Sequence, residues 1–303
     1  MDANVPMGAV LVGLDASAGS ARALDWAAAE ARRRHWPLHL MQVHDVSRRT
    51  WPTYSMSRQV HEPVIHNALA HLAQSGDRLK VSWSQPTGDP ATTLAYAARG
   101  CRLVVVGSRG RGAVADAFLG STTNRLIAQT RCPVAVLRAD TPDTTGESVV
   151  VGLEYGRPFV RVLETAFEQA GDRHLDLTIV HTWHPDTMLG NEPGLLGVPT
   201  GEAQQRENDR LTRSMADVAR SHTQLRVTTQ MVQDGAVEEF RRHAADAALV
   251  VVGSRGHGEF GGAVLGSVHQ GVIRSAPCPV LVVRDGRKAF VRSPSQTAAG
   301  ASS

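Results

Sequence analysis

Two stretches of this 303-residue chain carry the same glycines at the same spacing. Gly107, Gly110 and Gly120 follow the pattern G-x2-G-x9-G-[ST], with Ser108 and Arg109 inside it and Ser121 and Thr122 just beyond. Gly253, Ser254, Arg255, Gly256, Gly266, Ser267 and Val268 repeat it. The arrangement suits a phosphate chain. Glycines permit positive φ and let backbone N–H groups come close to an anion, and a helix opening at Ser121 or Ser267 adds free donors and a partial positive charge. The hydroxyls of Ser121 and Ser267 can donate to phosphate oxygens. Arg109 has two readings of equal weight, a cation that neutralises phosphate or a solvated loop arginine.

Better-known chemistries fit less well. No G-x4-G-K-[ST] occurs and neither loop contains lysine, so this is not a Walker loop. Gly256 to Gly261 reads G-x-G-x-x-G after a strand, but the first copy has Ala115 at the third glycine and the loop follows the fourth strand, which argues against a dinucleotide site. His61, His66 and His71 recur every five residues, and His61 to His66 misses H-E-x-x-H by one position, so no metal site is expected. Cys132 and Cys278 each precede a proline and an apolar strand, which favours small core residues. No Ser-His-Asp or Cys-His constellation can be read from the spacing, and no catalytic residue is named. His44 and His181 read as matching positions after a second strand, lining a pocket or lying in a loop.

The glycines belong to a larger duplication. The segment LVVVGSRGRGAVADAFLGST at 103–122 returns as LVVVGSRGHGEFGGAVLGSV at 249–268, 146 residues later, and the C-P-V at 132–134 returns at 278–280. Near the starts of the copies, AVLVGLD at 9–15 matches VVVGLE at 149–154 with an offset of only 139, so the second copy holds about seven extra residues, placed in the Gly/Pro-rich stretch 184–201. We delimit a first domain at 1–140, a linker at 141–147, a second domain at 148–286 and a flexible Ser/Ala/Gly-rich tail at 287–303.

Within the first copy, β-branched runs alternate with helical patterns: strands at 9–14, 38–43, 79–85, 103–107 and 134–137, and helices at 19–34, 63–74, 90–99 and 121–130. Ala21, Leu24, Ala28 and Ala31 share a helical face, and Pro63 suits a first turn. Alternating βα units predict a parallel sheet covered on both faces, with ligands beyond the carboxyl ends of the strands. The glycine loops fall there.

The chain resembles the universal stress protein family in its tandem form, over nearly all of 7–285. The resemblance rests on V-G-L-D at 12–15, Gly88-Asp89-Pro90, the loop at 104–112, Leu119-Gly120-Ser121, and C-P-V-A-V-L-R at 132–138. It implies two Rossmann-like α/β domains, each a five-stranded parallel sheet in the order 3-2-1-4-5 with helices on both faces. It further implies pairing of the last strands of the two domains, and that many members bind ATP while others do not; ATP, with Mg²⁺ as an accompanying ion, is the expected ligand. On this resemblance Gly13 and Asp15 lie beside the nucleotide, the backbone of Val43 meets the adenine edge, and Gly107 to Gly110 with Gly120 to Thr122 surround ribose and phosphates. In the second copy the corresponding residues are Glu154, Val180, Gly253 to Gly256, and Gly266 to Val268. Glu154 replaces aspartate and Asp234-Gly235-Ala236 replaces Gly88-Asp89-Pro90, which makes the second site less secure.

Composition limits the remaining choices. Hydrophobic residues are 42% and charged residues 20%, ordinary for a folded globular protein of two domains. The net charge is +3 with acidic and basic residues interspersed, which does not point to nucleic acid. No apolar run approaches a membrane span and the first fifteen residues lack a signal-peptide pattern, so a cytoplasmic protein is expected. Three functional readings follow: a nucleotide-responsive regulatory module acting on an unidentified protein partner, either as an internal pseudo-dimer or a homodimer; a slow ATPase or autophosphorylating enzyme; and a scaffold with empty sites.

Overall fold

The computed structural model describes residues 4–45, 54–76, 79–108, 110, 119–141, 146–154, 159–183, 201–233, 236–254 and 267–284. The first half runs β1 (Val10–Gly13), α1 (Ala18–Arg34), β2 (Leu38–Met41), α2 (Tyr54–Ala73), β3 (Val81–Ser84), α3 (Pro90–Ala97), β4 (Leu103–Gly107), α4 (Ser121–Gln129) and β5 (Val134–Leu137). The second repeats it as β6 (Ser148–Glu154), α5 (Val160–Arg173), β7 (Asp176–Trp183), α6 (Gly201–Ala219), β8 (Val227–Gln233), α7 (Ala236–Ala244), β9 (Ala247–Gly253), α8 (Ser267–Ser275) and β10 (Val280–Val283).

Local chemistry sets the helix ends. Ser17 caps α1 by accepting from the Ser20 N–H, and His35 ends it in the left-handed conformation, φ 54°, after three arginines in the last turn. Ala23, Leu24, Ala27, Ala28 and Ala31 form its buried face. Ala21 lies on the exposed side, which shifts the predicted stripe by a fraction of a turn. Asp89 caps α3 by accepting from the Thr92 N–H, with Pro90 at the first helical position. Arg125 of α4 grips the same carboxylate with two N–H groups, at 2.7 and 3.0 Å, and this pairing with the cap bond holds Asp89 down at about 2. The Gly88-Asp89-Pro90 turn thus ties α4 to α3. One expectation is corrected: α2 starts at Tyr54, so Pro63 sits inside the helix rather than in its first turn.

The ten strands form one sheet in the order β3-β2-β1-β4-β5-β10-β9-β6-β7-β8. Each half is the 3-2-1-4-5 parallel arrangement. The halves join through β5 and β10, which run antiparallel with Ala135 opposite Leu281. Both strands are fully buried, so neither presents an open sheet edge. A reciprocal pair of arginines flanks the joint: Arg138 donates to the carbonyl of Arg274, and Arg284 donates to that of Ala128 at 2.8 Å. Each guanidinium meets the carboxyl end of the other domain's last helix, where a cation is favoured.

A second joint lies between α1 and α5. Glu30 is 1% exposed and is shared by three arginines. Arg33 comes from its own helix, Arg34 Nε lies 2.9 Å away as an ion pair, and Arg173 of α5 donates at 2.8 Å. Arg34 also reaches Asp172 of α5 at 2.6 Å. Burial pulls Arg173 down to about 10, which leaves it charged at neutral pH.

His39 of β2 is 1% exposed and lies between two hydroxyls, with Nδ1 at 2.8 Å from Ser82 Oγ and Nε2 at 2.8 Å from Ser84 Oγ. Burial lowers its pKa to about 4, so the ring is neutral in the folded protein.

Candidate functional site at the carboxyl edge of the first sheet

β1 ends at Gly13, opposite Met41, and the chain then leaves the sheet. The turn is made by Ala16 at φ 63°, a conformation that disfavours a Cβ. Asp15 is fixed in this turn. Its Oδ1 accepts from the Ser17 N–H at 3.1 Å and the Ser17 hydroxyl at 2.6 Å, while its own N–H donates to Ser20 Oγ at 3.4 Å. The other carboxylate oxygen faces the glycine loop: a Cβ built on Gly110 would fall 2.5 Å from Asp15 Oδ2.

The base of that loop is clamped. The Ser108 N–H donates to the Leu137 carbonyl at 2.6 Å, and the Ser108 carbonyl accepts from the Gly120 N–H at 2.8 Å. Beyond it, Thr123 Oγ1 donates to the Gly107 carbonyl at 2.9 Å. Gly120 occupies the N-cap of α4, with no side chain bonded over the helix end. The leading N–H groups of α4, at Ser121 and Thr122, therefore have no side-chain cap. Thus Gly13, Asp15, Gly107, Ser108, Gly110, Gly120, Ser121 and Thr122 are brought to one edge. Arg109 lies outside the described residues.

Val43 follows β2 at the same edge. Gln42 and His44 donate their N–H groups toward the β3 side, to Ser84 and Pro86. By the alternation of a strand, the peptide groups of Val43 face the other way, past the point where β1 has turned off. That is the position from which a planar base edge can be read.

The expected positive φ is not found at Gly107, Gly120 or Gly253, which lie outside the left-handed region. Close approach explains Gly107. A Cβ there would lie 2.9 Å from the Gly19 carbonyl carbon and 3.1 Å from the Ser20 nitrogen, both backbone atoms of α1. At the equivalent Gly253 the nearest atom is Val162 Cγ2, at an ordinary 3.6 Å. Gly107→Ala is therefore expected to lower stability by about 2 kcal/mol and Gly253→Ala by less than about 0.5 kcal/mol. Urea unfolding of the two variants checks this, and equal losses would contradict it.

The second copy keeps the clamp, with the Ser254 N–H donating to the Val283 carbonyl at 2.9 Å, but differs at its first strand. β6 continues through Glu154, which remains paired with Thr182, whereas Asp15 has already left the sheet. Register also corrects one pairing. Val180 lies opposite Gly152 as Met41 lies opposite Gly13, so Thr182 rather than Val180 is the counterpart of Val43, and His181 is the buried counterpart of Gln42. Sequence likeness alone had aligned Val-His with Val-His, two residues out of step. Ser267 and Val268 open α8; Arg255, Gly256 and Gly266 lie outside the described residues. Of the helical histidines, His71 meets Asp25 at 2.6 Å. No cluster of potential metal ligands occurs among the described residues.

Two parallel five-stranded units, each with a glycine loop between its fourth strand and the next helix, define a tandem Rossmann-like α/β protein. The model of the universal stress protein family matches residues 7–138 and 147–284, and the chain belongs to that family. It is 32% identical over 288 residues to a universal stress protein of Mycobacterium tuberculosis, covering 91% of this chain and 96% of that one. A Mycolicibacterium smegmatis relative is 32% identical over 290 residues with the same coverage. Among solved structures, a universal stress protein from Archaeoglobus fulgidus superposes with a TM-score of 0.69 at 20% identity, covering 92% of this chain and 98% of that one. One from Pseudomonas aeruginosa gives 0.63 at 19% identity, with 93% and 95% covered. No helix among the described residues is long and apolar enough to cross a membrane.

Proposed function

We propose that the protein binds an adenine nucleotide, ATP accompanied by Mg²⁺, at the carboxyl edge of its first sheet, and acts as a nucleotide-responsive regulatory protein in the cytoplasm. The observation that carries this is the α4 N-terminus: Gly120 leaves the helix without a side-chain cap beside a clamped glycine loop. Phosphate oxygens would accept from the leading N–H groups, the peptide of Val43 would meet adenine, and Asp15 would lie near the ribose or the metal-bound phosphates. The second site is the weaker, because Glu154 is held in the sheet and Gly253 does not bring β9 against its neighbouring helix as Gly107 does. Nucleotide occupancy would change the surface presented to a protein partner.

Turnover separates this reading from an ATPase. Asp15 is already bonded to Ser17 in the described site, and no described residue there is arranged to orient water at a γ-phosphate. Cationic assistance raises phosphoryl-transfer rates by about 10³ or more, and Arg109 is the one cation that the sequence places between Gly107 and Gly110. Protein purified without added nucleotide should release an adenine nucleotide on denaturation, identified by mass spectrometry, and should hydrolyse ATP well below ~1 s⁻¹. A fast rate abolished by Asp15→Ala would establish the enzyme instead, and released NAD would remove the assignment of the loop.

A further inference from the structure

A cavity of about 1080 Å³ lies between the two domains, far from the glycine loop of the first. Because β5 and β10 are antiparallel, the strand starts of the first half share an edge with the strand ends of the second. The cavity occupies that edge, walled by the residues before β4 and β5 and by one face of α5. Its charge is lopsided. Arg34, Arg99, Arg102, Arg131 and Arg161 line it, against the carboxylates of Glu168 and Asp172.

Ordinary structural roles account for only part of this set. Arg34 is paired with Glu30 and Asp172. Arg102 and Arg34 both stack over the single indole of Trp36, at 5.0 and 4.7 Å, which holds two like charges together without neutralising either. Arg99 stacks on Tyr96 at 4.8 Å. Among the described residues, Arg99, Arg102, Arg131 and Arg161 have no carboxylate partner. Arg161 is the most telling. It stands in the first turn of α5, where a cation opposes the helix dipole, and it lines the same cavity as Arg131 and Cys132 of the first domain. Cations gathered from both domains at some cost to local structure are what an anionic ligand would offset, with guanidinium forks matching phosphate oxygens.

We propose that this inter-domain cavity is a binding site for a compact multivalent anion of the oligophosphate class, separate from the glycine loop of the first domain. Ligand there would bridge the domains, since Arg131 comes from the first and Arg161 from the second. The thiol of Cys101, half-buried in the same wall, offers a local reporter. In the intact chain, sodium tripolyphosphate should slow alkylation of Cys101 by N-ethylmaleimide at least fivefold, read by peptide mass spectrometry, with the buried Cys278 as internal control. Protection should vanish in the double variant Arg131→Gln, Arg161→Gln, whose replaced side chains are exposed and leave the core intact, and should persist in Gly110→Val, which fills the nucleotide loop. Absence of protection in the natural sequence, its survival in the double variant, or its loss in Gly110→Val would each overturn the proposal.

Discussion

Glu30→Ala is expected to lower the stability of the protein by about 3–5 kcal/mol, a large share of what a chain of this kind possesses. The carboxylate is almost completely buried and is the common partner of Arg33, Arg34 and Arg173. Its removal leaves three guanidiniums facing one another with only Asp172 to offset them. Since Arg173 belongs to the other domain, the loss also loosens the joint between α1 and α5. Removing Arg173 as well takes away one of the three stranded charges, so adding Arg173→Met to Glu30→Ala should restore part of the loss. Guanidinium unfolding of the single and double variants measures the coupling. A loss below about 1 kcal/mol for Glu30→Ala, or strict additivity in the double variant, would show that the cluster does not hold the domains.

Acid should destabilise the protein through His39 well before its carboxylates titrate. The folded ring has a pKa near 4, against about 6.5 when unfolded. Between these values the unfolded chain binds the extra proton, so the contribution is fully present above pH 6.5, declines as pH falls, and is gone below about 4. The whole step amounts to about 3 kcal/mol at 1.36 kcal/mol per unit. Both ring nitrogens meet serine hydroxyls, and a neutral ring can donate through one and accept through the other. Urea titrations between pH 4 and 7.5 should show this slope in the natural sequence and its loss in His39→Gln. An unchanged slope in that variant would assign the acid sensitivity elsewhere.

Much of the architecture was legible because it repeats. Valine-rich strands alternating with helical patterns, present twice, imply a parallel sheet in each half, while the order of its strands and the pairing of the last strands are implied by the family resemblance. The glycine loop could be found from its spacing, and the structure gathers its described residues at one edge. The reason for its glycines could not: Gly107 is required by the backbone of α1, a contact between segments far apart in sequence. Pro63 pointed to a helix start that the structure places earlier, because a proline tolerated inside a helix has the same local signature as one at its first turn. The Glu30 cluster was invisible for another reason. Its members sit on helical faces whose polarity reads as solvent-facing until the second domain covers them. In that second domain Gln169 and Asp172 stand where the first has Glu30 and Arg33, so the repeat gave no warning.

Calorimetric titration with ATP and Mg²⁺ of the intact chain, of Gly110→Ala and of Gly256→Ala tests the central claim most directly. A methyl group at Gly110 falls against Asp15 Oδ2, so either the carboxylate or the loop must move. One tighter site is expected in the natural sequence, weakened at least tenfold by Gly110→Ala, or about 1.4 kcal/mol, and retained in Gly256→Ala. No binding of ATP by the natural sequence, or a tight site that passes unchanged through Gly110→Ala, would contradict it.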